Sequence, residues 1–262
     1  MKAFFRKSRL STDRSSPLLQ SPHIDAIVQN STPAQAKVLP LTLIELFQSQ
    51  SCNSCPPTNA LLLSSLPPNT LLLTYHVTYW NHLSWTDTFS LRSSDARQRE
   101  YVQRLGLRSA FTPQVVVNGR ASGVGNRKEE LERLIREGEG AGREESVDVS
   151  VEEGPDEGGW RISVSTPPTL RNALSSPQYR LDVSLIHYDP TQTQVHVLSG
   201  ENAGRVLPHR NVVRSIKPVG EIELGHEMSW VVERARDGLK GVVVVQLGAG
   251  GPVVGAVLLD EK

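Results

Sequence analysis

The stretch Leu41 to Pro57, L-T-L-I-E-L-F-Q-S-Q-S-C-N-S-C-P-P, constrains this chain most. It holds the only two cysteines, Cys52 and Cys55, between an apolar run of strand length and a segment that reads as a helix. Two thiols separated by two residues at a helix start can close into a disulfide, and a helix N-terminus stabilises the thiolate of the first. The spacing therefore points to dithiol–disulfide chemistry, with Cys52 as the attacking thiolate and Cys55 as the resolving thiol. It does not choose between reduction and oxidation of a partner. Pro56 and Pro57 follow directly and remove backbone donors from the first helical turn. A helix that begins at either proline places its dipole farther from Cys52 and weakens that pull on the thiolate.

Other uses of the pair are set by ligand number. A zinc site needs four ligands, and neither a second cysteine pair nor a close H-x-x-x-H set exists among the seven histidines, so no metal centre is expected. Two thiolates alone suit Cu(I), which makes a Cu(I)-binding or metal-transfer protein one alternative. A non-catalytic interaction module is another. Under the redox reading the dithiol itself is the only cofactor.

With 262 residues, 38% of them hydrophobic, the chain has material for one large domain or two ordinary ones. Lysine plus arginine equals aspartate plus glutamate at 28 each, so no global field recruits nucleic acid or an anionic membrane. No apolar run approaches the roughly 20 residues of a membrane-spanning helix, and two cysteines are too few for a disulfide-stapled scaffold. The expected partner of a soluble protein of this kind is a substrate protein or small molecule bearing a thiol or disulfide. Nothing sets an oligomeric state. Residues 1–38 read as a disordered basic and polar leader: in Met1 to Gln20, Lys2, Arg6, Lys7, Arg9 and Arg14 stand against Asp13, with many serines and no apolar h-region. A cytoplasmic location is expected, and the basic, Ser-rich start is also compatible with a mitochondrial presequence.

Order is expected from residue 39. Leu41 to Phe47 reads as a strand buried on both faces and Thr58 to Leu66 as a short helix stopped by Pro67-Pro68. Leu71 to Val77 is a second strand, and a helix capped by Ser93, Ser94 or Asp95 runs to Leu105 and Gly106. Val115 to Val117 and Arg120 to Val124 form a hairpin about Asn118-Gly119. Asn126 and Glu129 resemble a capping box ahead of a helix with Leu131, Leu134 and Ile135 on one face. That order of elements is the thioredoxin fold, expected over residues 39–140.

Cys52-x-x-Cys55 after the first strand and Thr112-Pro113 before the hairpin match two local signatures of thioredoxin-like proteins. More closely, L-I-E-L-F-Q-S-Q-S-C-N-S-C-P-P, H-V-T-Y-W-N-H-L-S-W-T-D-T-F, T-P-Q-V-V-V-N-G-R and the later G-E-N-A-G-R-V-L-P-H-R-N-V-V-R resemble an uncharacterised microbial thioredoxin-like family. That is a domain of unknown function, often exported in bacteria, with a C-terminal β domain. The resemblance implies a cis Thr112–Pro113 bond that faces the cysteines and positions an extended substrate. Without it, Pro113 reads as the first residue of an edge strand. Glu45, seven residues before Cys52, sits where such proteins keep a buried acid that relays a proton to the resolving thiol, although its register is off by one and it could point outward. His76, Tyr79 and Trp80 could wall a substrate groove with Tyr75 and Trp85, although aromatic clusters are more often core, which is the reading favoured.

Glu137 to Glu145, E-G-E-G-A-G-R-E-E, reads as a linker into a second region over residues 141–262. There Val147, Val149 and Val151, then Trp160, Ile162 and Val164, alternate with polar residues, with a turn over Gly154 to Gly159. Further strands are read at Arg180 to Tyr188, Gln194 to Leu198, Ser229 to Arg234, Gly241 to Leu247 and Val253 to Leu259. A mainly antiparallel β-sandwich follows. Gly248 to Gly251 is a hairpin turn, since Pro252 leads into a strand and no phosphate-binding helix follows. Glu201, Asn202 and Arg205 either meet the cysteine-bearing region or satisfy a long loop, and the loop is the reading adopted.

Overall fold

Leu43, Ile44, Leu46 and Phe47 are all inaccessible to solvent, so the first strand, β1 (Thr42–Gln48), is covered on both faces. The computed structural model describes residues 41–64, 66–140, 146–155, 159–167, 170 and 180–259. The expected leader, residues 141–145 of the expected linker and the interior of the Gly154 to Gly159 turn lie outside the described residues. After β1 come α1 (Cys55–Ser64), β2 (Thr70–His76), α2 (Arg92–Arg104), β3 (Gln114–Val117), β4 (Ala121–Gly123) and α3 (Lys128–Glu139). The second half contributes β5 (Asp148–Glu153), β6 (Gly159–Ser165), β7 (Arg180–Asp189), β8 (Thr193–His196), β9 (Val206–His209), β10 (Val212–Glu223), β11 (Glu227–Glu233), β12 (Lys240–Gln246) and β13 (Val253–Leu259).

These elements do not build the expected α/β thioredoxin-like domain followed by an antiparallel β-sandwich. Among the described residues, thirteen strands and three helices make a mainly β protein organised on one mixed eight-stranded sheet, in the order β13-β12-β7-β10-β2-β1-β3-β4. β1 runs parallel to β2 and antiparallel to β3, and β10 joins β2 in parallel where Val212 faces Thr74. β7, β12 and β13 continue antiparallel from β10. The second half thus extends the first half's sheet. β10 is the strand whose absence from the sequence reading hid this. Its run carries Pro218 and Gly220, which lack a ladder donor and a packing side chain respectively, and the register with β7 shifts between them.

Three cores result. On one face, Leu43 and Phe47 of β1, Tyr75 of β2, Tyr101 of α2, Val213 of β10 and Val242 and Val244 of β12 form a cluster that crosses both halves. On the other, α1 and α3 cover β1 and β3 through Leu62, Leu131 and Leu134. Farther along that second face the helices give way to a three-stranded sheet of β11, β6 and β5, whose Ile162 and Val164 pack on Leu181, Val183 and Val245. The sheet curls enough for its two ends to meet: the Val253 amide donates to the Asn118 carbonyl at 2.9 Å. Asn118 and Gly119 both have positive φ, +48° and +63°, as a tight hairpin turn requires. A Cβ on Gly119 would lie 2.2 Å from the Gly251 carbonyl oxygen, so only glycine fits there. No helix among the described residues is long and apolar enough to cross a membrane.

The expected caps are not used. Leu91 and Arg127 precede α2 and α3 without side-chain capping bonds; Ser93, Ser94 and Asp95 lie inside α2, where Asp95 accepts from the Thr78 amide (2.8 Å) and hydroxyl (2.5 Å). Glu45 is fully buried on the α2 side of β1, where Arg97 donates through Nε to Oε1 at 2.5 Å and through Nη2 to Oε2 at 3.2 Å. Tyr101 adds its hydroxyl to Glu45, and Arg97 reaches Gln246 of β12 at 2.9 Å. This cluster therefore ties α2 to strands from both halves. Arg97→Ala leaves a buried carboxylate without its cation and is expected to lower unfolding free energy by about 3–5 kcal/mol, read as a lower urea midpoint.

Candidate functional site

β1 ends at Gln48, and the turn 49–54 carries the chain into α1, whose first residue is Cys55. Pro56 and Pro57 occupy its first turn, where an amide donor has no intrahelical partner anyway. Cys52 therefore stands ahead of the helix, with the Cys55 amide donating back to its carbonyl at 3.3 Å. Both thiols are free and only 2% exposed, while Asn53 and Ser54 between them are open to solvent.

Polar groups crowd Cys52 Sγ. The thiol of Cys55 donates to it, the Ser54 hydroxyl lies at 3.1 Å, and the protonated sulfur itself donates to the Thr112 carbonyl oxygen at 3.6 Å, which also accepts the Ser54 hydroxyl at 3.2 Å. The Thr112–Pro113 peptide is cis. Thr112 Oγ1 accepts the indole N–H of Trp80 at 2.7 Å, so its own proton is free for sulfur. The hydrogen bond from Cys55 is the largest influence and, with those from Ser54 and Thr112, it outweighs burial and lowers the Cys52 pKa to about 5. Burial, the bond it donates and the Cys52 charge together push the Cys55 thiol well up. The two thiols of the pair are thus set apart, one lowered and the other raised.

Of the residues singled out in the sequence, Cys52, Cys55, Thr112, Pro113 and Trp80 come together here. Tyr79 lies near them, half-buried, its hydroxyl on Gln98 at 3.2 Å and its pKa raised first by burial and then by nearby negative charge. Glu45 does not join them. It shares its face of β1 with Leu43 and Phe47, which pack with α2, whereas Ile44 and Leu46 face α1. Glu45 thus lies across β1 from the helix that begins at Cys55, paired with Arg97. His76 is not a groove wall, being fully buried behind the site. Its Nδ1 lies 2.7 Å from Asp87 Oδ2 and its Nε2 3.3 Å from Gln48 Nε2. Gln48 also reaches Asn59 of α1 at 3.4 Å, one turn beyond Cys55. A donor set that closes has His76 Nδ1 protonated towards Asp87, and Gln48 donating to both His76 and Asn59.

Sequence reasoning missed Asp87 and His209, and it named Asn202 while adopting a loop for it. Asp87 accepts the Gln50 amide of the cysteine turn at 2.7 Å and the Phe89 amide at 2.8 Å. Although burial opposes it, the His76 ring and these amides hold its pKa below the usual carboxylate value. Its signal was its place in T-D-T-F after the aromatic run. The loop between β8 and β9 meets the turn directly: the Glu201 carboxylate accepts the Asn53 amide at 3.3 Å, and Asn202 Nδ2 donates to the carbonyls of Gln50 and Cys52, both at 2.9 Å. The loop reading adopted for these residues is thus replaced by a contact with the cysteines. His209 stacks edge-on against His76 at 4.8 Å and Phe89 at 5.5 Å, with neither ring nitrogen bonded. Among the described residues no group of three or more His, Cys, Asp or Glu is placed to hold a metal ion.

The profile of a family described as "Protein of unknown function (DUF1223)" matches residues 43–246. Comparison with curated proteins finds no match. Among solved structures, an Agrobacterium tumefaciens protein determined by X-ray crystallography in a structural-genomics programme is similar in fold. It is 24% identical, with a TM-score of 0.64, over 86% of this chain and 97% of that one.

Burial, then the neighbouring His76, lowers the His209 pKa to about 3, against about 6.5 for a free histidine. The unfolded chain therefore takes up a proton that the folded one refuses, and stability present above pH 6.5 is lost as pH falls towards 3. Between pH 7 and 5 this group alone costs about 2 kcal/mol. His209→Phe, which keeps the ring stacking, should lose about that much less over the same interval in urea unfolding.

Proposed function

The chain belongs to the DUF1223 family of proteins of unknown function, and we propose that it is a thiol–disulfide oxidoreductase acting on protein or small-molecule thiols through Cys52 and Cys55. The observation that carries this reading is the convergence of Cys55, Ser54 and Thr112 on one sulfur. It supports a thiolate at Cys52 at neutral pH beside a protonated partner. The local resemblance to thioredoxin-like sites, a dithiol against a cis X–Pro segment, supports it as well.

In the reducing direction the Cys52 thiolate attacks one sulfur of a substrate disulfide. The substrate S–S bond breaks, a mixed disulfide forms on Cys52, and the other substrate sulfur leaves as a thiolate and is protonated. Cys55 then gives up its proton and attacks Cys52 Sγ. The mixed disulfide breaks, the second substrate thiol departs, and the Cys52–Cys55 disulfide closes with two electrons transferred. Run backwards from the disulfide, the same steps oxidise a substrate dithiol.

Equilibration in glutathione redox buffers, followed by thiol alkylation and mass measurement, tests this. One reversible two-electron transition is expected, absent from both Cys52→Ser and Cys55→Ser. A pair that stays reduced in every buffer would sink the proposal, and Cu(I) uptake by the two thiolates would become the property to assay.

A further inference from the structure

Asn202 has no access to solvent, and every polar atom of its side chain is engaged. Its two amide hydrogens go to two carbonyls of one turn, and its Oδ1 accepts Arg205 Nη1 at 2.9 Å. Among uncharged side chains, only a primary amide has one nitrogen that can donate to both carbonyls; a hydroxyl has a single proton. The same segment holds the helix too, since Asn59 Nδ2, one turn beyond Cys55, donates to the Pro208 carbonyl at 2.6 Å. A strap from the second half thus grips the turn that carries Cys52 and the helix that carries Cys55. Two further anchors hold the strap itself: Ser199 Oγ donates to the Ser84 carbonyl at 2.5 Å, and Gly200 lies so close to Leu83 that a Cβ there would be 2.8 Å from its carbonyl oxygen.

We propose that Asn202 is a positioning residue for the dithiol: by fixing the carbonyls of Gln50 and Cys52 it keeps Cys52 Sγ within reach of the Cys55, Ser54 and Thr112 donors. This inference rests on the dithiol reading above, and it assigns the reactivity of Cys52 to a side chain 150 positions downstream. Distance is what makes the placement matter. Hydrogen bonds to sulfur weaken steeply with length and angle, so a turn that relaxes without its two amide bonds gives up the donors one by one.

Thiolate absorbance at 240 nm, followed from pH 3 to 10 on the full chain, reads Cys52 directly. Asn202→Ala should raise its midpoint by at least one unit. At pH 7 it should also shift the glutathione equilibrium about tenfold towards the disulfide, because one pKa unit is a factor of ten in thiolate stabilisation. Arg205→Ala, which removes only the cation that orients the amide, should move both readouts the same way by a smaller amount. A purely structural role would lower the melting temperature and leave the midpoint where it is in the wild type, and that result overturns the proposal. Should Asn202→Ala not fold, an unchanged midpoint in Arg205→Ala overturns it and a raised one supports it. If the wild type shows no redox transition, the oxidoreductase reading falls, and the titration midpoints still decide the role of Asn202.

Discussion

Everything beyond β2 depends on one short parallel contact. A single pair, Val212 opposite Thr74, is in register between β10 and β2, yet it turns two groups of strands into one sheet. Bonds around it supply what length does not. The Thr74 amide and hydroxyl donate to the carbonyls of Asn211 and Arg210, both at 2.9 Å, and Asn211 Nδ2 donates to the Leu72 carbonyl at 2.8 Å. Asn211 takes a φ of +52°, a left-handed conformation that asparagine tolerates better than most residues. The bend it makes delivers β9 to α1 and His76 on one side and β10 to β2 on the other. The joint that unifies the sheet is therefore also what brings Pro208 and His209 to the back of the cysteine site.

Behind the cysteines lies a polar layer that a purely apolar core would not need. Gln48, Asn59, His76 and Asp87 are all buried, and each would cost free energy if left without a partner. They satisfy one another in sequence, from the Pro208 carbonyl through Asn59 and Gln48 to His76 and Asp87. Asp87 closes the chain on the Gln50 amide, inside the turn that holds Cys52. His209 is the exception. It contributes ring contact without hydrogen bonds, and so it is a buried neutral histidine whose protonation the fold opposes.

The residues of the site were legible where chemistry is local. Cys52-x-x-Cys55 and Thr112-Pro113 could be read because spacing along the chain fixes what they can do, and most strands could be read because Val-rich runs and alternation announce them. The single sheet was not legible. Its key strand, β10, is broken in appearance by Pro218 and Gly220, which a bulge accommodates. Nor does any pattern within residues 200–214 state that a loop there will meet a turn at residues 49–54. Asn202 is indistinguishable in sequence from a loop asparagine, and only the β2–β10 joint, itself a tertiary event, brings it near. Glu45 misled for the opposite reason: an acid in an apolar strand looks functional, and here its buried charge is matched by Arg97 in the core.

The same geometry explains how the pKa of a cysteine outside a helix comes to be lowered. The partial charge at a helix N-terminus acts over the first turn and fades beyond it, and Cys52 precedes the first residue of α1 by three positions. Burial alone would raise its pKa. What lowers it is a set of side-chain donors, Cys55 foremost, and such donors are demanding in a way that a dipole is not. A dipole field varies slowly with position, whereas a hydrogen bond is lost over a few tenths of an ångström and some tens of degrees. A site activated in this manner must hold its backbone still. The turn accordingly takes bonds from two separated parts of the chain: one segment supplies Asp87 on the Gln50 amide and the Trp85 carbonyl on the Ser51 hydroxyl at 2.8 Å, and the other supplies Asn202 on the Gln50 and Cys52 carbonyls. Two of these clamps lie within forty residues of the cysteines and the third comes from the far half of the sheet. The second half of the chain thereby helps to hold the backbone that carries Cys52, and the large mixed sheet is the frame that brings it there.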